Sequence, residues 1–123
     1  MTAFTQKVLK RAAHLCMGVG YLVVALSSLV PGKYRPHIDG LSGKEEHALA
    51  YLVLGALTVI GTRPNVKLDR LCLLIVAYAG VLEVLQNFAP DRHPAVGDFI
   101  ASSLGGITGI VLTAFTLSRS ARV

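Results

Sequence analysis

The run "YAGVLEVLQNFAPDR", Tyr78 to Arg92, decides how this chain is read, because it sets Glu83 and Gln86 inside the end of a long apolar segment. What such a carboxylate does depends on what surrounds the run. The 123 residues are 53% hydrophobic and 15% charged, with no tryptophan, and the mean hydropathy is +0.59. Ordinary soluble domains carry about 25% charged residues. A chain of this length has room for one domain, residues 1–123, which would expose too much apolar surface unless a membrane covered it. The composition therefore predicts a membrane protein. Cys16 and Cys72 both fall in apolar runs, where a thiol behaves as a small hydrophobe, so no disulfide framework is implied.

Working outward from Tyr78–Arg92, four segments are long enough, or nearly so, to cross a hydrocarbon core, which takes about 20 helical residues. They cover about 12–30, 47–62, 68–89 and 96–117. The second, "HALAYLVLGALTVIG" in its apolar part, needs its polar flanks to span. Between the segments lie "PGKYRPHIDGLSGKEE", "TRPNVK" and "PDRHPA", rich in residues that break helices and start turns. The expected fold class is all-α: a polytopic membrane protein built as a four-transmembrane-helix up-and-down bundle. Long continuous apolar runs, rather than short alternating ones, argue against a membrane barrel.

Lys7, Lys10 and Arg11 ahead of the first apolar run also describe a secretory signal peptide, with "ALS" at Ala25 to Ser27 as a weak cleavage site. The run of about 19 residues is longer than the usual signal core. Basic residues set orientation by staying in the cytoplasm. Lys7, Lys10, Arg11, Arg63, Lys67, Arg70, Arg119 and Arg122 fall on one side, against Lys33, Arg35, Lys44 and Arg92 on the other. Both termini are expected in the cytoplasm. Anionic lipid accounts for the pI of about 9.6, and no nucleic-acid partner is required.

In this orientation the polar residues fall at one depth. Glu83 lies seven residues before Pro90, about 10 Å below the outer helix end. Gln86 and Asn87 continue its face, Lys44 and His47 start the second helix, Arg92 lies in the outer loop, and Asp98 opens the fourth helix. A charge at mid-bilayer costs about 2.5–3.5 kcal/mol on insertion scales, so these groups are expected to face partners or a wet cavity. Glu83 is expected to face Lys44, His47 or Arg92. Gly105 and Gly109, spaced as in close helix pairs, are expected to serve packing within the bundle or between copies. No metal site is expected, because no two histidines have the spacing of a helical zinc site. No other cofactor is expected either: His14 and His47 lie at opposite ends and cannot share a haem.

"GKEEHALAYLVLGAL" and "YAGVLEVLQNFAPDRHPAVGDFIASSLGGITG" resemble the two halves of the VanZ-like family of small bacterial membrane proteins, over Gly43 to Gly109. That family carries Asp-Lys-x-x-His before an aromatic and Leu-Gly, then Glu-x-x-Gln, Arg, Asp and a glycine-rich helix. Lys44, His47, Glu83, Gln86, Arg92 and Asp98 fall on its polar positions. Gly43 stands where an aspartate is usual, a loss that Glu45 or Glu46 would have to make good, and Ser102 stands where asparagine is frequent. The resemblance implies a bacterial inner-membrane protein of the cell envelope, linked in one relative to glycopeptide resistance.

Three functions follow as expectations. The first is an enzyme on an envelope glycan, glycolipid or lipid-linked precursor, with Glu83 and His47 as proton-transfer groups and Lys44, Gln86, Arg92 and Asp98 holding substrate. The second is a non-catalytic protein binding a lipid or partner through the same pocket. The third, a proton-coupled exporter working as a dimer, sits poorly with a glutamate so near the outer end.

Overall fold

The structure is a computed structural model and describes residues 1–62 and 66–122. Arg63, Pro64 and Asn65, Arg63 among the basic residues used for orientation, lie outside them. The fold is all-helical: α1 (Ala3–Leu29), α2 (Gly43–Gly61), α3 (Leu68–Leu85) and α4 (Val96–Ser120), with 3-10 turns at Gly32–Tyr34 and Gln86–Phe88. No strand occurs among the described residues.

Local chemistry moves several helix ends from where hydropathy alone puts them. α1 starts at Ala3 rather than near Ala12, because the Thr2 hydroxyl accepts the Thr5 N–H at 3.3 Å. α2 starts at Gly43 rather than His47. There the Ser42 hydroxyl accepts the Glu45 N–H at 3.3 Å and the Glu45 carboxylate accepts the Ser42 N–H at 2.6 Å, a reciprocal capping box. α3 stops at Leu85 and tightens into the 3-10 turn ahead of Pro90. Glu83 is thus two residues from the end of the α-helix proper, with the 3-10 turn between it and Pro90.

Contacts between helices fix their directions. The tightest pair is α2 with α4, which run the same way. A Cβ on Gly105 would stand 2.2 Å from the Ala48 carbonyl oxygen, one on Gly109 2.1 Å from that of Leu52, and one on Gly55 2.2 Å from that of Gly106. Only glycine permits such backbone approach. α1 runs against α2, with Gly61 on Met17 and Gly20 on Leu57, and α3 runs against α4, with Gly80 on Phe99 and Gly106 on Ile75. The four helices therefore alternate in direction, and the two chain termini lie at one end of the bundle.

A narrow core fills the centre: Tyr51 and Leu54 from α2, Leu71, Ile75, Ala79 and Leu82 from α3, and Ile110 from α4. Around it Tyr21 hydrogen-bonds Thr58 at 2.9 Å and meets Tyr78 edge-on at 4.8 Å between ring centres. Outside, apolar side chains such as Leu15, Val19, Leu22 and Leu26 on α1, and Leu104, Val111 and Leu112 on α4, are half exposed or more. Two helices are long and apolar enough to cross a membrane, α1 with 27 residues and α4 with 25, each with a mean hydropathy of 1.7 over its best 18-residue window. At 1.5 Å per residue they reach about 40 Å, beyond the roughly 30 Å hydrocarbon core. α2 and α3 are shorter, 19 and 18 residues, and carry charges near their ends.

Candidate functional site

The glycine-lined approach of α2 to α4 assembles the first part of the site. With Ala48 against Gly105, the preceding residue His47 is brought across Ser102 and Asp98. Its Nδ1 lies 3.2 Å from the Ser102 hydroxyl and its Nε2 lies 3.7 Å from the Asp98 carboxylate. Ser102 is buried and the His47 and Asp98 side chains largely so. The imidazole is therefore gripped on both nitrogens, which fixes its ring plane.

The connection between α1 and α2 folds back on α2 through one carboxylate. Glu46 accepts the Ile38 N–H at 2.6 Å, pairs with the Arg35 guanidinium at 3.0 Å and also meets the His37 imidazole. The Ile38 N–H first, then His37 and Arg35, hold this carboxyl below the usual glutamate range. Beneath lies a cavity of about 230 Å³. Arg35, His37, Glu46, His47 and Arg92 supply its polar wall, and Val23, Val24, Ala50 and Tyr51 its apolar one.

Arg92 reaches this cavity from the α3–α4 loop and closes α1. Its Nε donates to the Val30 carbonyl at 3.0 Å and its Nη2 to that of Ser27, so the last carbonyls of α1 gain a cationic donor. Burial first, then nearby Arg35, pull the guanidinium below its ordinary value, and Glu83 opposes them. The α1–α2 and α3–α4 loops also touch directly: the Gly32 N–H donates to the Pro90 carbonyl at 3.0 Å. A Cβ on Gly32 would stand 2.2 Å from the Asp91 carbonyl oxygen, and Asp91 itself adopts φ 56°.

The other expected site residues are dispersed around this end. The Glu83 carboxylate accepts the Ala95 N–H at 2.7 Å, at the residue preceding α4, where no side chain of the α4 segment supplies a cap. It therefore serves the positive end of α4, and it makes no ion pair within 4.0 Å with Lys44, His47 or Arg92. Lys44 lies across Gly97, where a Cβ would stand 2.9 Å from its Cε. Gln86 is buried in the 3-10 turn. Of the expected set, His47 and Arg92 share the cavity, Asp98 faces His47 from behind, beside Ser102, which was not expected in the site, and Glu83, Lys44 and Gln86 line no part of the cavity. Among the described residues no three His, Cys, Asp or Glu side chains are placed to hold a metal.

Sequence reasoning missed Arg35, His37 and Tyr51 as site residues. The signal for the loop was present, because "SGKE" at Ser42 to Glu45 is a capping-box pattern that turns the next residue, Glu46, toward the incoming chain. Comparison of the chain with protein-family models, with curated proteins and with solved structures returns no match to any of them.

Proposed function

We propose that this chain is a four-span protein of a bacterial inner membrane whose outer cavity holds the anionic head of a lipid-linked envelope precursor or glycolipid. The observation that carries this reading is the cavity itself: Arg35 and Arg92 outnumber the one carboxylate in its wall, Glu46, which Arg35 pairs, and they face an apolar wall that continues onto the half-exposed Val23 of α1. That pairing of an anion receptor with an apolar flank suits an amphiphile lying at a membrane boundary. The membrane reading has its own support in the bare outer faces: only 6% of the α1 window and 28% of the α4 window is buried, far from the state of a soluble core helix. α1 is also tied to the rest through Tyr21, Ser27 and Val30, as a bundle member is and a discarded leader is not.

The resemblance to VanZ-like proteins is part of the proposal. At Gly43 a Cβ would point at the Arg35 guanidinium, 3.4 Å from its Nη2, so the aspartate usual there would meet the same cation that Glu46 holds here. The binding version is favoured over a catalytic one: His47 lines the cavity, but Ser102 faces its Nδ1 and Asp98 its Nε2, so neither ring nitrogen is left open as a general base.

The test is mass spectrometry of lipids retained by the full chain purified in mild detergent. Wild type should retain an anionic isoprenoid or glycolipid that Arg35→Gln loses. Retention of bulk phospholipids alone, in the proportions of the membrane and unchanged in the variant, would overturn the reading.

A further inference from the structure

At the opposite end of the bundle, the start of α1, the end of α2, the start of α3 and the end of α4 enclose a groove of about 900 Å³ that plays no part in the outer cavity. Its sides are apolar, Ile60, Leu68 and Leu117 being half exposed and Leu71 forming the floor. Its polar edge is Lys10 with His14, one helical turn apart on the same face of α1. Lys7 and Arg11 continue that face toward the start of α1, where they line a second hollow together with Lys10 and His14 but do not reach the groove. Among the described residues no acidic side chain lines the groove, and no ion pair involves Lys10 or His14.

We infer that this groove is a binding site for one anionic phospholipid of the inner leaflet, with its phosphate on Lys10 and His14 and an acyl chain against Ile60, Leu68 and Leu117. Charge complementarity selects the occupant. A zwitterionic lipid brings a cation to a site that already holds a lysine, whereas a phosphatidylglycerol-type headgroup brings a phosphate and no cation. His14 offers an N–H donor in either protonation state. The site rests on the membrane reading of the preceding subsection and is independent of the outer cavity.

Because the chain contains no tryptophan, Leu117→Trp makes a single reporter in the groove, at a side chain 51% exposed that tolerates the larger ring. The protein is reconstituted in phosphatidylcholine vesicles containing a minority of phosphatidylglycerol, with one or the other lipid dibrominated to quench tryptophan. Brominated phosphatidylglycerol should quench as though enriched about fivefold over its bulk fraction, the effect of one favourable basic contact. Lys10→Gln with His14→Gln should remove that excess, while Lys7→Gln with Arg11→Gln should keep most of it. Equal quenching by the two brominated lipids overturns the groove site alone. Equal loss in both double variants also overturns it, in favour of a diffuse ion atmosphere. No quenching by brominated phosphatidylcholine means that the helices do not sit in lipid, which overturns the membrane reading and the groove with it.

Discussion

At the scale of single residues, most ionisable groups at the outer end serve backbone. Glu83 accepts from the start of α4, Arg92 donates to the end of α1, and Glu45 and Glu46 accept from residues just outside α2. Glu83→Gln, which keeps an acceptor but removes the charge at the helix terminus, should cost about 0.3–1 kcal/mol. Glu83→Leu, which removes the acceptor, should cost about 0.5–2 kcal/mol. Thermal unfolding in detergent should therefore rank wild type above Gln and Gln above Leu, and three equal midpoints would refute the role in starting α4. Glu46 sets a pH dependence. Its carboxyl titrates below the unperturbed 4.5, so its hold on Ile38, His37 and Arg35 is complete above that value and is lost as pH falls through the lower folded one. Exchange of the Ile38 amide should accelerate in that acid window, and Glu46→Gln should exchange fast at neutral pH as well. Two of the cavity's polar side chains, His47 and Arg92, were among the residues singled out in the sequence, whereas Arg35 and His37 were not. The partners of the singled-out residues were not legible, because a hydrogen bond such as Glu83 to Ala95 spans a loop whose path no periodicity records.

At the scale of helices, hydropathy located the four elements and capping chemistry corrected their ends. The Gly105 and Gly109 pair was readable as a close-packing signal, yet the face it meets on α2 was not. That face includes Gly55, which has no spacing partner in its own helix and looks ordinary in isolation. Gly109→Ala should force α4 off α2, because its Cβ would lie 2.1 Å from the Leu52 carbonyl oxygen. The expected penalty is about 1–3 kcal/mol, or more where backbone cannot yield. Gly18→Ala is the control: nothing lies within 4 Å of its added Cβ, and removing a mid-helix glycine should stabilise by about 0.5–1 kcal/mol. Folded yield and unfolding midpoint of the two variants should move in opposite directions; a parallel response would show that the close approach is not what holds the pair.

At the scale of the molecule, alternation of the helices puts Lys7, Lys10, Arg11, Lys67, Arg70, Arg119 and Arg122 at one end and Lys33, Arg35, Lys44 and Arg92 at the other. If the first end is cytoplasmic, a cysteine at Ser42, in a chain with Cys16 and Cys72 replaced by alanine, should react with an impermeant thiol reagent on intact cells. Labelling only after lysis would invert the molecule and turn the outer cavity inward. The pairing of α2 with α4 across the whole of α3 bears on biosynthesis. When α2 leaves the ribosome, Gly55 has no mate, and Gly106 is 51 residues away in the message. At about 5–20 residues per second the nascent chain waits roughly 3–10 s before its tightest contact becomes possible. Throughout that interval α2 holds a bare groove, open to chaperones and to the matching helix of another unfinished copy, so the fourth helix is the one that closes this bundle.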